Sequence, residues 1–348
     1  MTTSTLLRES TVESLPQPYL LFLGDTTEPG YAKTAFGLRD WAADRCVGEW
    51  SCGATVTTGL PRLTPKEARA RGARGLVIGV ANSGGVIYES WIPSLIEALA
   101  AGLDIVSGMH TRLNNTPRLK AAATRYGRRL IDIRTPPREI PIATGIKRSG
   151  MRLLTVGTDC ALGKKYTALA LARAFAGRGI DADFRATGQT GILIAGRGMP
   201  MDAVIADFEA GAAEMLSPDA DARHWDIIEG QGSLFHPAYA GVSLGLLHGS
   251  QPDVFVVCHE PGRTHVLGHP SFELPSIEDT IDMTIRLGRR TNPAIRCAGV
   301  SLNTSGLSED DANALLASHA TRLGLPAADP IRGGAAFERL VDACIGYK

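Results

Sequence analysis

A lysine placed after a glycine-bounded loop is the residue of this chain with the most evident chemical use. The run Leu153-Leu154-Thr155-Val156-Gly157-Thr158-Asp159-Cys160-Ala161-Leu162-Gly163-Lys164-Lys165-Tyr166-Thr167 passes from an apolar strand, through the loop, into a helix carrying Leu169, Leu171 and Phe175. Gly157 and Gly163 let the backbone curl so that its N–H groups converge on one anion. The helix N-terminus adds a partial positive charge and Lys164 a full one. Phosphate is the ligand that this combination holds. An ordinary loop of the kind has Ser or Thr directly after the lysine, where the hydroxyl ligates Mg²⁺. Here that position is Lys165, and Thr167 comes two residues later. An ammonium cannot ligate a divalent cation, and a second one beside the phosphates repels it. Two lysines in series therefore point to a diphosphate neutralised without metal, in a group that is held and not cleaved. The 3′-phospho-ADP portion of coenzyme A is such a group.

Further candidates stand at the ends of apolar runs. Asp226-Ile227-Ile228-Glu229 leads into Gly230-Gln231-Gly232-Ser233, which puts an acid at the mouth of a glycine-rich turn. Thr187-Gly188-Gln189-Thr190-Gly191 is a polar, glycine-lined loop after another run, and His259-Glu260-Pro261-Gly262-Arg263 follows a third. In an open α/β sheet the carboxyl ends of strands line the ligand crevice. Glu229 and His259 are candidate bases there, with Asp207 a weaker third. Arg263 suits an acidic substrate, and Gln189, Gln231 and Ser233 offer it polar contacts. Asn303, in Asn303-Thr304-Ser305, is placed to meet a nucleotide base edge or to cap its own turn. Cys160 lies inside the loop near a helix N-terminus, where a thiol is acidified. His265 and His269 have a helical metal spacing, but Gly268 and Pro270 argue against a helix, and no metal site is expected.

These residues need elements to position them. Apolar strands are expected at residues 19–24, 75–81, 104–109 and 129–134, with helices over 33–42, 64–72, 91–102 and 116–127. The run Thr135-Pro136-Pro137-Arg138-Glu139-Ile140-Pro141 cannot continue a helix. Beyond it strands are expected at 152–157, 183–187, 226–229, 253–259 and 297–303. Helices are expected over 163–177, 201–216, 275–288, 308–323 and 335–345, with Ser308 and Asp311 as a variant capping box. The strands are apolar throughout, as parallel strands covered on both faces must be. The fold class is α/β with two doubly wound parallel-sheet domains. Residues 1–145 form a Rossmann-like N-terminal domain and residues 146–348 a P-loop NTPase-like C-terminal domain. Gly79-Val80-Ala81-Asn82-Ser83-Gly84-Gly85 approaches a dinucleotide fingerprint without matching it.

Composition excludes several classes. The 348 residues carry 36 Lys+Arg against 36 Asp+Glu, which leaves no basic excess for a nucleic-acid backbone. No apolar run approaches the roughly 20 residues of a membrane span. The first residues, with Arg8, Glu9 and Glu13, lack the apolar core of a signal peptide. The 6 cysteines, Cys46, Cys52, Cys160, Cys258, Cys297 and Cys344, form no CxxC pair, which suits a reduced, cytoplasmic protein.

Taken together, Gly157–Lys165, Thr187–Gly191, Asp226–Pro237, Leu302–Ser305 and the run Leu103–His110 resemble one bacterial and archaeal family. Its members pair a Rossmann-like N-terminal domain with a P-loop C-terminal domain and are associated with D-glutamate N-acetyltransferase activity. The resemblance runs from about Tyr19 to Arg332. It implies transfer of acetyl from acetyl-CoA to the amino group of D-glutamate, in D-glutamate catabolism. On that reading Gly157, Thr158, Asp159, Cys160, Gly163, Lys164, Lys165, Tyr166 and Thr167 hold the coenzyme. Arg263, with Arg185 or Arg197, takes the substrate carboxylates, and backbone N–H groups of Gly230–Gly232 stabilise the oxyanion. A homo-oligomer is expected, as is usual for paired domains of this type. The loop alone also resembles dethiobiotin synthetase, so a Mg-ATP-dependent ligase or kinase is the alternative, followed by a non-enzymatic nucleotide-binding module.

Overall fold

The computed structural model describes residues 15–346, so Arg8, Glu9 and Glu13 lie outside the described residues. Strand and helix alternate along the chain. The order is β1 (Tyr19–Phe22), α1 (Lys33–Trp41), β2 (Cys46–Trp50), α2 (Pro65–Ala70), β3 (Gly75–Ile78), α3 (Ile92–Ala100), β4 (Asp104–Ser107), α4 (Pro117–Tyr126) and β5 (Leu130–Asp132). It continues with β6 (Met151–Gly157), α5 (Lys164–Gly177), β7 (Ala182–Arg185), α6 (Gln189–Ala195), α7 (Glu209–Leu216), β8 (Trp225–Ile228) and α8 (Ala240–Ser250). Last come β9 (Val254–His259), β10 (His265–Val266), β11 (His269–Glu273), α9 (Ile277–Gly288), β12 (Arg296–Leu302), α10 (Glu309–Leu323), β13 (Ala327–Ala328) and α11 (Gly334–Ile345). Among the described residues no helix is long and apolar enough to cross a membrane. The six cysteines are all free thiols.

Two compact units result. The first comprises residues up to Pro137 together with Gln189–Ala203; the second comprises Arg138–Gly188 and Val204 onward. In the first, five parallel strands run in the order β2-β1-β3-β4-β5. Strands β1, β3 and β4 are buried at every position; β1 and β3 are accordingly apolar without alternation, while β4 begins with the buried Asp104, paired with Arg129, and ends with the buried Ser107. Helix α2 starts where Thr64 accepts the Glu67 N–H and Glu67 reaches back, with Pro65 in the first turn. Leu20, Phe22, Leu76, Ile78 and Ile105 from the sheet pack with Trp91, Leu95, Leu99 and Leu119 from the helical layer.

The segment Gln189–Ala203 is the part of this unit that the sequence conceals. Its helix α6 begins at Gln189, inside the stretch Thr187–Gly191 that reads as a polar, glycine-lined loop. It brings Thr190 Oγ1 to 3.1 Å from Thr34 Oγ1 on α1, and Ile194 O accepts from Arg45 Nη1 at 2.6 Å. Arg134 pairs with Asp202. Ile192, Leu193 and Ile194 are buried, worth roughly 1.5–3 kcal/mol each, comparable in sum with the whole stability of a small domain. A fragment ending at Pro137 is therefore expected to aggregate on expression. A monomeric, cooperatively melting fragment would show that α6 is dispensable.

In the second unit six parallel strands run in the order β13-β12-β9-β6-β8-β7, with the β10–β11 hairpin antiparallel beside them. One expected helix is broken: 201–216 divides into short 3-10 turns at Met201–Ala203 and Ala206–Phe208 before α7 begins at Glu209. The break falls where the chain passes from one unit to the other, between Ala203 and Val204. Ser308 caps α10, accepting the Asp311 N–H, while the Asp311 carboxylate takes the Ser308 hydroxyl proton. Strands β2, β10, β11 and β13 and helix α8 were not expected from the sequence. Helix α8 is glycine-rich with no apolar stripe, and β2 carries the buried Glu49.

Candidate functional site at the carboxyl edge of the second sheet

Strand β6 enters the loop at Gly157, and α5 leaves it at Gly163, whose φ of 101° is a left-handed conformation that glycine adopts without strain. Lys164, the first residue of α5, is 7% exposed, and its Nζ donates to Asp159 O at 2.6 Å. Burial pulls this ammonium below the ordinary lysine value, against the raising influence of Cys160, Cys258 and Asp159. A buried cation beside a loop of backbone donors is poised for an anion.

Asp159 fixes the loop's shape. It is fully buried and accepts the Cys160 N–H at 2.7 Å, Arg263 Nη1 at 3.0 Å and the Leu267 N–H at 2.8 Å. Arg263 also donates to Cys160 O at 2.9 Å and pairs with Glu260. The hairpin after β9 is thus pinned to the phosphate loop. Thr158 hydrogen-bonds His259 Nδ1 at 3.0 Å, and Ser233 Oγ donates to Thr158 O at 3.2 Å. Thr167 sits 2% exposed, its hydroxyl 2.8 Å from Ser301 Oγ and 3.4 Å from Cys258 Sγ. That hydroxyl is engaged between helix and sheet.

Glu229 follows β8 and is 5% exposed. Its Oε2 accepts the N–H groups of Thr187 at 2.9 Å and Gly188 at 3.1 Å. Burial raises its carboxyl above the usual range, opposed first by the charge of Lys165, then by those two N–H groups and Lys164. Lys165 Nζ also lies 4.4 Å over the Tyr166 ring. Gln231 Nε2 donates to Thr187 Oγ1 at 2.9 Å. His259 is pushed down to about 4, by burial first and then by His319, Arg263 and Arg322, so it is neutral at pH 7.

Gly230 shows why this turn needs glycine. A Cβ there would lie 1.7 Å from Thr155 O, and the Gly230 N–H donates to Thr155 Oγ1 at 3.0 Å. That N–H is consequently spent on the fold, and the expected oxyanion role of Gly230–Gly232 loses its first donor. Gly230→Ala is expected to lower stability by about 4 kcal/mol or more, read as a fall in Tm. Gly241→Ala on α8, where an added Cβ meets nothing within 4 Å, serves as the control.

The structure thus gathers Gly157, Thr158, Asp159, Cys160, Gly163, Lys164, Glu229, Gln231, Ser233, His259 and Arg263 around one loop. The remaining candidates are engaged differently. Asp207 is exposed in a 3-10 turn. Arg185 turns to Asp226, 2.6 Å away, and Asp183. Gln189 and Arg197 belong to the first unit. Asn303 Oδ1 accepts the Ser305 N–H at 3.2 Å, capping its own turn.

His236 is a residue of the site that sequence spacing does not single out from its neighbouring histidines. It is buried, and one ligand atom each from Asp159, Cys160 and His236 falls within 4.8 Å of the others. The cations Lys164 and Arg263 on Asp159 weigh against a divalent ion at that grouping.

Comparisons with known proteins agree with this architecture. Residues 44–136 match the family described as Domain of unknown function (DUF1611_N) Rossmann-like domain, and residues 141–341 match Domain of unknown function (DUF1611_C) P-loop domain. The chain is 53% identical over 329 residues to D-glutamate N-acetyltransferase of Tritonibacter scottomollicae, covering 94% of this chain and 98% of the relative. It is 52% identical over 320 residues to D-glutamate N-acetyltransferase of a Pseudoalteromonas species, covering 91% of this chain and 96% of the relative. A crystal structure of a DUF1611 family protein from Anabaena variabilis superimposes with a TM-score of 0.83 at 34% identity, covering 94% of this chain and 98% of that one. With both halves matched in order and the whole length shared, the chain belongs to the DUF1611 family, the D-glutamate N-acetyltransferase-like family of Rossmann-like and P-loop halves.

Proposed function

We propose that the protein transfers the acetyl group of acetyl-CoA to the amino group of D-glutamate, in the cytoplasm, as a homo-oligomer serving D-glutamate catabolism. The reading is supported by relatives of that name at just over half identity. The observation that carries it is the buried Lys164, packed against Gly230, whose charge acts on the buried Glu229: a cation for the donor's phosphates and a carboxylate for the acceptor's proton.

The loop Gly157–Thr167 holds the diphosphate through backbone N–H groups, Lys164 and Lys165, with no divalent cation. The ammonium of D-glutamate first loses one proton to solvent; the free amine then attacks the thioester carbonyl, and the proton left on nitrogen passes to Glu229, which returns it to the departing sulfur. The tetrahedral intermediate collapses, the C–S bond breaks, and the thiolate leaves as coenzyme A thiol after taking a proton. The products are N-acetyl-D-glutamate and coenzyme A. Glu229 suits the base better than His259, because its raised carboxyl lies nearer the working pH than an imidazole held down to about 4. Arg263, although it braces Asp159, keeps an exposed edge and is the candidate for a substrate carboxylate.

A Mg-ATP-dependent ligase is the weaker reading, because the loop offers Lys165 where a hydroxyl would ligate the metal and Thr167 is already bonded to Ser301. A thiol-release assay with acetyl-CoA across D- and L-amino acids, in EDTA, separates the two. Thiol release with D-glutamate that survives the chelator is expected. Mg²⁺-dependent ATP turnover without thiol release would overturn the proposal.

A further inference from the structure

Beside the phosphate loop runs a row of four aromatic rings that the transfer chemistry leaves unused. Tyr239 and His236 lie 4.5 Å apart between centroids and 32° from parallel. His236 meets His269 edge-on at 5.2 Å, and His269 meets Phe272 edge-on at 6.3 Å. The inner ring is buried, His236 being 2% exposed, while the end rings open to solvent, Tyr239 at 52% and Phe272 at 50%.

The row is built into the loop. His236 Nε2 stands 3.8 Å from Asp159 Oδ1, and the Leu267 N–H, between the two hairpin strands, donates to Asp159 Oδ2. His236 Nδ1 accepts the N–H groups of Ala238 at 3.0 Å and Tyr239 at 3.2 Å, which leaves the ring proton on Nε2 and fixes the ring plane. The rings are thus held at a set distance from whatever anion the loop takes. Two large aromatic side chains half exposed beside an anion site are spent on solvent unless a ligand covers them.

We infer that this row seats the purine base of the acyl donor, stacked on Tyr239 or Phe272 while the loop grips the phosphates. The inference rests on the acetyl-CoA reading above and adds where the adenine lies. A base has a flat π face that offset stacking rewards. The pantetheine arm, an amide-bearing saturated chain, has none and gains nothing specific from an exposed ring face. Asn303, the residue that sequence would give to the base edge, has its carbonyl oxygen committed to Ser305.

Isothermal titration of three probes tests it: coenzyme A, adenosine 3′,5′-bisphosphate and 4′-phosphopantetheine, against the wild type, Tyr239→Ala, Phe272→Ala and Tyr239→Phe. The alanine variant that removes the ring under the base is expected to weaken coenzyme A and the bisphosphate roughly tenfold, with the other alanine variant near the wild type, phosphopantetheine unchanged and Tyr239→Phe close to wild type. Phe272 lies in the exposed hairpin, and Tyr239→Leu, which removes the ring and keeps apolar bulk, stands in if Tyr239→Ala fails to fold. Equal weakening of phosphopantetheine would put the arm on the rings and overturn the inference, as would alanine variants that bind all three like the wild type. A wild type that binds no coenzyme A at all would instead remove the acetyl-CoA reading.

Discussion

Lys164→Ala should raise the Kd for acetyl-CoA by about 10²–10³ while leaving turnover at saturating donor within several-fold of the wild type. A hydrogen bond between an ammonium and an anionic acceptor is worth about 1.5–3 kcal/mol net, and a diphosphate offers more than one acceptor to the same Nζ. Lys164 is placed to deliver that energy in full. Its ammonium is buried, burial has already weakened its hold on the proton, and it donates to the neutral Asp159 carbonyl. An arriving phosphate adds countercharge beside the buried ammonium, beyond that of Asp159, whose carboxylate is shared with Arg263. The phosphates are remote from the bonds that change, so the lost interaction is shared by ground and transition states and falls on binding. Lys164→Met, which keeps most of the volume and removes only the charge, should show the same loss and so exclude a collapsed loop as the cause. Titration of both variants with coenzyme A reads the effect directly. An affinity unmoved by either would mean that the loop holds something other than the donor.

How far the sequence foretold this site depends on whether a residue acts through its own type or through its surroundings. Gly157, Gly163 and Lys164 are legible because a phosphate loop is a local object: strand, glycine, glycine, lysine and helix lie in one unbroken run. Glu229 is legible for the same reason, as an acid where an apolar strand meets glycine. Asp159 reads as one more loop residue, yet it is fully buried and anchors a hairpin whose Arg263 and Leu267 lie far along the chain. Arg263 shows the converse. Its charge suggested a substrate ligand, but the sequence could not show that Asp159, Cys160 O and Glu260 share its guanidinium. At the level of the fold, alternating strands and helices betrayed both sheets. The placement of α6 with the first unit was hidden, because Gln189-Thr190-Gly191 has the composition of a loop and its partner Thr34 belongs to the other half of the chain.

Glu229→Gln should lower kcat by about 10²–10⁴, the usual worth of a positioned base, with acetyl-CoA affinity nearly unchanged. Glutamine is the informative substitution because its carbonyl oxygen can still accept the Thr187 and Gly188 N–H groups that hold Oε2, so the strand end keeps its shape. The pH profile then tells a base from a prop. Burial raises the Glu229 carboxyl above its ordinary value near 4.3, and a protonated carboxyl cannot accept the amine's proton. The wild-type rate should therefore climb with pH on a limb lying above the normal carboxylate range, and Glu229→Gln should lose that limb. Stability must move the other way. A group whose pKa is higher folded than unfolded stabilises the fold at low pH, where it is protonated in both comparisons that matter, and the benefit is lost as pH rises through the folded value. Wild type and Glu229→Gln should accordingly melt at similar temperatures in mild acid. Above the raised value the glutamine variant should melt higher, since it carries no charge to bury. A variant that lost activity while melting lower at every pH would assign Glu229 to the scaffold, and the proton of the attacking amine would have to go to His259.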